Sequence, residues 1–166
     1  RQSFGGWKKS AIGPGTKAGG PNYLHALGDW ADAPVTAAPA APRPRVAELL
    51  AGAERAGVSA SDLAWLRDAA TSDALAWEDE FGIARDASQL AVERNLLRYR
   101  PVPVTIRLAA DGALRDGLRV IAAALAAEAT PTVSTAAGLP GEIAEQLRGL
   151  GATVVVEDDA LWRGRV

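Results

Sequence analysis

The sequence predicts an α/β fold in which an irregular glycine-rich segment and a helical pair precede a partial parallel sheet. Apolar residues recur at helical spacing over residues 45–94, and strand-like segments alternate with helical ones over residues 95–166. Residues 3–24 show neither period. Because strand, helix, strand, helix, strand is the order of a βαβαβ unit with right-handed crossovers, we expect residues 95–166 to form a partial, Rossmann-like sheet that is truncated.

Composition excludes several classes of site. The 166 residues carry a formal net charge of −2 and no cysteine, which excludes disulfides, thiolate metal sites and a cysteine nucleophile within the chain. A single histidine, His25, excludes a histidine-rich zinc site. Arginines are scattered among acids, so we expect no nucleic-acid partner. No apolar run approaches the ~20 residues of a membrane span and no secretory signal is present, so the expected location is cytoplasmic.

The first 44 residues divide into two segments of different composition. Residues 1–30 contain "SFGGWKKSAIGPGTKAGGPNYL", in which aromatic and aliphatic side chains are interleaved with six glycines. That interleaving favours an ordered loop of a larger body, because glycine lets the backbone approach other groups closely while the apolar side chains occupy pockets. Residues 31–44 are small apart from an aspartate, a valine, a threonine and an arginine, and include four prolines, which predicts an extended linker.

Residues 45–94 predict a helical segment. A first helix should end at Gly57, and a second should be capped by Ser59 or Ser61. A third should be capped by Thr71 or Ser72 and should stop at Gly82. The predicted inner faces are Val46, Leu49, Leu50 and Ala53 in the first helix, Leu63, Leu66 and Ala70 in the second, and Ala74, Trp77 and Phe81 in the third.

Residues 95–166 predict strands and helices in alternation. "NLLRYRPVPVTIRL" predicts one strand, or two short ones broken at Pro101. An amphipathic helix over residues 113–128 follows, then a strand over 130–135. Pro140 suits the first turn of another helix, whose positive end favours Glu142. The remaining predictions are a buried strand over residues 152–157 and a partial helix after Asp158 and around Trp162.

The residues alone give little support to a binding site. Gly112 and Gly117 do not make the G-x-G-x-x-G turn of a dinucleotide site, although a helix N-terminus can hold an anion without it. Asp158 and Asp159 could hold a ribose or a metal, but aspartate at a helix start more often caps the helix. His25 fits an ordinary surface histidine better than a catalytic one.

Two motifs carry a resemblance to a known family. "FGGWKKSAIGPG" resembles the C-terminal signature of the aldehyde dehydrogenase superfamily, with serine at position 3 where proline is usual. "GPGTKAGGPNYL" is similar to the branch that oxidises glutamate γ-semialdehyde (pyrroline-carboxylate dehydrogenases). "EFGIARDASQLAVERNLLRYRPVPVTIRL" and "ATVVVEDDALW" resemble the C-terminal part of bifunctional proline utilization enzymes of actinobacterial type.

The resemblance implies a parent enzyme whose reaction centre lies upstream of this chain. It implies a cysteine nucleophile and bound NAD there, with an FAD-dependent proline dehydrogenase half in bifunctional members. It assigns Phe4 to the loop that anchors the aldehyde substrate, with Gly5 and Gly6 permitting the tight backbone beside it. No catalytic, cofactor-binding or metal-binding residue is expected in this chain.

The same resemblance implies how the rest of the chain is used. Residues 22–30 would lead through a segment associated with homo-oligomer formation. The linker would then enter a C-terminal domain that acts as a lid and brace for the rest of the parent chain, without binding NAD. Two alternatives stay open: residues 45–166 as a free-standing assembly module, or the α/β part as a nucleotide-binding domain.

Overall fold

A computed structural model describes residues 27–29, 31, 40–86 and 89–165 of the chain. The chain divides into two compact units, and the second is discontinuous in sequence. The first combines Arg1–Thr36 with Ile83–Tyr99, and the second combines Ala37–Gly82 with Arg100–Val166. The segment boundaries at residues 30, 44 and 94 stay predictions.

The second unit begins with helix α1, Pro44–Arg55. Proline suits the first turn because that turn's N–H groups have no partner within the helix. Arg45 donates to the carbonyl oxygens of Ala129 (2.9 Å) and Leu150 (2.7 Å), far along the chain. The helix ends as the sequence predicts, with Gly57 at a φ of +81°, which glycine adopts without strain.

Helix α2, Ala60–Ala76, is a single helix where the sequence predicts two. Ser59 caps it by accepting from the Asp62 N–H at 3.1 Å, as expected. The predicted cap at Thr71 or Ser72 is wrong, because the Thr71 hydroxyl donates to the Ala40 carbonyl (3.2 Å) and the helix continues unbroken.

A π-helical turn, Trp77–Phe81, extends α2 up to Gly82. The Gly82 N–H donates to the Trp77 carbonyl at 2.7 Å. Of the three side chains predicted to be buried here, only Ala74 is buried; Phe81 is exposed, and Trp77 lies half-exposed with the Arg43 guanidinium 4.5 Å from its ring centroid. The wider π turn moves these aromatic rings away from the stripe that regular α-helical spacing predicts.

The described part of the first unit contains a two-stranded antiparallel ladder. Strand β1, Arg85–Asp86, pairs with β2, Leu96–Leu97. Periodicity does not predict β1, because a two-residue strand shows no alternation. β2 and the next strand lie on either side of Pro101, so the prediction of two short strands broken there is confirmed.

The remaining elements form a parallel sheet with connecting helices, which confirms the α/β prediction. The strands lie in the order β3-β4-β5, all parallel. They and their helices are β3, Thr105–Leu108; α3, Leu114–Ala126; β4, Thr132–Thr135; α4, Gly141–Gly149; β5, Thr153–Val156; and α5, Asp159–Arg165.

The core lies between one face of the sheet and the helices. Ile106, Val133 and Val154 are aligned across the three strands and pack in the same apolar cluster as the inner faces of α3 and α4. Helices α1 and α2 cover the other side of that helical layer. The largest fully buried apolar side chains in this core are Val46, Leu49, Leu66, Leu118, Ile121, Leu125, Val133, Ile143 and Leu147.

Strand β5, the last strand of the parallel sheet, is less buried than the sequence predicts. β5 lies at an edge of the sheet, and the Val156 side chain is 65% exposed. The run Thr153–Val156 resembles a central strand in composition, but among the described residues a strand pairs with only one of its edges. Strand order, which composition does not encode, determines this difference.

Candidate functional site

The sheet face opposite α3 and α4 carries polar side chains. Successive residues of a strand point to opposite faces, so the residues that follow Ile106 and Val133 point away from the core. These are Arg107 and Ser134, which are aligned with Val155 of the edge strand. Helix α5 lies against this row.

Arg107 links the sheet to the segment that starts α5. Its Nη1 donates to Ser134 Oγ (2.7 Å) and to the Glu157 carbonyl oxygen (2.9 Å). Its Nη2 donates to Asp159 Oδ1 at 2.7 Å. Its Nε is buried with no hydrogen-bond partner among the described residues. These contacts therefore use three of the four N–H donors on the Nη atoms.

Glu157 is the acid of this network. Its Oε1 accepts from Ser134 Oγ at 2.6 Å, and both carboxylate oxygens accept from Arg165. Hydrogen bonds from Arg165 and then from Ser134 lower the pKa of Glu157 below its ordinary value of 4.5. A carboxylate held ionised in this way is a weak proton acceptor near neutral pH.

Helix α5 is attached through these polar contacts. None of its residues is buried. Asp158 Oδ1 accepts from the Leu161 N–H at 2.8 Å, and the Trp162 ring lies 5.7 Å from the Arg107 guanidinium and 5.0 Å from that of Arg165. We call Arg107, Ser134, Glu157, Asp159 and Arg165 the α5 network. Its hydroxyl and both of its carboxylates have hydrogen-bond partners within the network, so its chemistry is that of a structural attachment.

A groove of about 480 Å³ follows the outer edge of β3 and one side of α3. Its wall includes Leu108, Asp116, Gly117 and Val120. A Cβ at Gly117 would lie 2.7 Å from Leu108 Cδ2, so glycine here permits the close approach of helix and strand. The groove lies where a dinucleotide would bind in a complete Rossmann fold, after the first strand of the sheet.

The residues of this groove do not fit a dinucleotide. Gly112 and Gly117 have the spacing of the first and last glycines of G-x-G-x-x-G, but Leu114 stands where the second would be. The second glycine is the one that lets the backbone approach the pyrophosphate. Leu114 instead packs against the core, and the Asp116 carboxylate would face a phosphate with like charge. The groove therefore has Gly117, the glycine that lets α3 pack closely on β3, but has Leu114 in place of the glycine that would let the backbone approach a pyrophosphate.

The predicted site residues have different outcomes. Phe4, Gly5, Gly6 and His25 lie outside the described residues. Asp158 caps α5, as the capping interpretation predicts, and Asp159 forms an ion pair with Arg107. Within the described ranges, no cluster of potential metal-ligating side chains occurs.

Sequence reasoning misses the α5 network. Apart from the Glu157–Arg165 pair, which is 8 positions apart, its hydrogen bonds join residues 23 to 52 positions apart, so no local motif shows them. One signal was available: Arg107 lies between Ile106 and Leu108 in a strand of a parallel sheet, where a charged side chain needs a partner.

Comparison with known proteins gives one informative similarity. No protein-family model matches the chain, and no curated protein matches it. Among solved structures, the chain is similar to Proline Utilization A (PutA) from Corynebacterium freiburgense, with a TM-score of 0.57 and 28% sequence identity.

That similarity covers 95% of this chain and 16% of the PutA chain, so this chain spans a small part of that protein's length. The part of the chain that the structure describes contains no helix with the length and apolar character needed to cross a membrane.

Proposed function

We propose that this chain is a C-terminal part of an oxidoreductase of proline catabolism. The observation that carries the proposal is its similarity to PutA, at 28% identity over 95% of the chain. The sequence motifs in residues 3–24 support it independently, because they resemble the signature of dehydrogenases that act on glutamate γ-semialdehyde. The parent enzyme, in this proposal, oxidises that aldehyde to glutamate with NAD.

The proposal divides the chain between two roles. Residues 1–30 contribute Phe4, Gly5 and Gly6 to the loop that holds the substrate's carbon chain. Residues 45–166 form a structural, lid-like domain that binds no NAD. Leu114 and Asp116 in the groove beside β3 support the second role, since both oppose a bound pyrophosphate.

Substitution of Phe4 in the parent enzyme tests the first role. Phe4→Ala should raise KM for glutamate γ-semialdehyde by about ten- to 150-fold, because it removes apolar contact worth ~1.5–3 kcal/mol. The rise in KM should exceed any fall in kcat, since the lost contact is made in both the ground state and the transition state. The measurement is steady-state NADH formation followed by absorbance.

Phe4→Leu is the matched control, because leucine keeps most of the apolar contact and should keep KM within about threefold of the parent value. Equal KM values for the parent and Phe4→Ala would remove Phe4 from the substrate site. Absence of aldehyde oxidation by the parent itself would contradict the proposed reaction.

A further inference from the structure

The outer edge of β5 has unpaired backbone groups. The N–H groups of Thr153 and Glu157 donate to the carbonyl oxygens of Pro131 and Thr135, each at 3.1 Å. The odd-numbered residues of the strand therefore bond toward β4, and the N–H and C=O groups of Val154 and Val156 point away from it. Within the described residues, no strand pairs with this edge.

This edge lacks the features that usually protect an exposed strand. It contains neither proline nor lysine, and all four of its residues are β-branched. α5 does not cover it, because the first residue of that helix turns back over the sheet to meet Arg107 at 2.7 Å. The Val156 side chain is 65% exposed.

The opposite edge of the sheet follows two prolines. Pro101 and Pro103 come directly before β3, and proline has no N–H to offer a neighbouring strand. The Val104 carbonyl accepts from the Thr132 N–H of β4 at 2.9 Å, so the backbone groups of even-numbered residues here point toward β4. The backbone groups of Pro103, Thr105 and Arg107 therefore point away from β4, toward the outer edge. Both edges are unpaired within the described residues. They differ because two prolines precede β3 on its outer side, whereas the β5 edge contains no proline.

We propose that β5 is a self-association surface, at which a second copy of this chain adds its own β5 in antiparallel orientation. A two-fold axis at Val155 places Val154 of one copy opposite Val156 of the other. Those are the residues whose N–H and C=O groups point outward, so each pair exchanges both hydrogen bonds. The exposed Val156 side chain is then covered by a cross-strand valine.

Charge at the ends of β5 favours a second copy as the occupant. Arg148, in the last turn of α4, lies at the amino end of the strand, and Asp158 follows its carboxyl end. Both are exposed, and an antiparallel arrangement brings the Arg148 end of one copy to the Asp158 end of the other. The interface is isologous, so it closes on two copies and uses up both free edges.

Oligomeric state and amide exchange of the full 166-residue chain test this proposal. Light scattering after size exclusion should give twice the 17.2 kDa chain mass. Val156→Lys should raise the dimer dissociation constant at least tenfold, because a lysine at the edge places charge in the pairing zone. Val154 and Val156 amides should exchange slowly in the dimer and rapidly on dilution, since neither bonds to β4.

Val120→Lys is the matched control. Val120 is also an exposed valine, at 53%, but it lies on α3 in the groove beside β3. This variant should therefore dimerise as the unsubstituted 166-residue chain does. The proposal would be overturned if the unsubstituted 166-residue chain were monomeric at ~100 μM, a concentration well above a dissociation constant of ~1 μM. It would also be overturned by a dimer that Val156→Lys leaves intact, or by fast exchange of both valine amides in a dimer, either of which would assign the contact to another surface.

Discussion

The carboxylate of Glu157 accepts hydrogen bonds from two different elements, from Ser134 in β4 and from Arg165 in α5. Its side chain is only 9% exposed, so these partners replace the water that would otherwise solvate the charge. The Arg165 and Ser134 hydrogen bonds favour the ionised form and lower the pKa. This residue therefore couples the attachment of α5 to pH.

The sign of that coupling follows from the direction of the shift. A group whose pKa is lowered in the folded state adds stability above its unfolded value, here 4.5, and loses that stability as pH falls through the lowered pKa. The Glu157→Gln variant should therefore have a lower free energy of unfolding than the unsubstituted chain at pH 6. The difference between the two free energies should shrink below pH 4.5. Urea unfolding between pH 3 and pH 6 measures it.

Glu145→Gln controls for the loss of a charge, because Glu145 is exposed and its carboxylate has no hydrogen bond or ion pair to another described residue. Its effect should be small at every pH. A Glu157→Gln deficit of constant size from pH 6 to pH 3 would contradict the role given to the carboxylate charge.

The α5 network shows which residue-scale features a sequence can predict. The capping role of Asp158 was predictable, because a cap acts within three residues of its own position. The partner of Arg107 was not, because Ser134 and Asp159 lie 27 and 52 residues further along the chain. Long-range pairing depends on strand register, which hydrophobic periodicity alone does not determine.

At the scale of elements, α3 and β3 approach each other closely through Gly117. Gly117→Ala gains about 1 kcal/mol of helix propensity. It also places a Cβ 2.7 Å from Leu108 Cδ2 and 2.8 Å from Leu108 Cγ, an overlap that typically costs about 1–3 kcal/mol. Because Leu108 packs against the core, displacing it disturbs that packing, and we expect a net loss of about 1 kcal/mol in the free energy of unfolding.

Gly149→Ala is the matched control in the other crossover helix. A Cβ there meets no atom within 4 Å, so only the propensity gain of about 0.5–1 kcal/mol remains. Chemical denaturation of both variants should give shifts of opposite sign. Stabilisation by Gly117→Ala would show that Leu108 moves aside freely.

Elements with strong periodicity were predictable and those set by tertiary contacts were not. α3 and α4 follow from apolar spacing, and their inner residues Leu118, Ile121, Ile143 and Leu147 are fully buried. The continuity of α2 through Thr71 was not predictable, because threonine is also a good cap and its actual acceptor is the Ala40 carbonyl. The edge position of β5 likewise depends on strand order.

At the scale of the whole molecule, the chain contains no cysteine. The proposed reaction begins with a thiolate attack on the aldehyde, so this chain alone should show no oxidation of glutamate γ-semialdehyde with NAD. Calorimetric titration with NAD should likewise show no saturable binding, in keeping with Leu114 in the turn after β3. NADH formation by the purified chain would contradict the assignment of the chemistry to other parts of the parent enzyme.

Arg45 ties the first helix of the second unit to residues near its carboxyl end. It stands near the start of α1, yet its acceptors are the carbonyls of Ala129 and Leu150, 84 and 105 residues away at the ends of α3 and α4. Those carbonyls are presented together only after both crossover helices have formed, and closing such long loops is costly in entropy. These two hydrogen bonds of α1, the first helix of the unit in sequence, can therefore both form only after α4 has been synthesised.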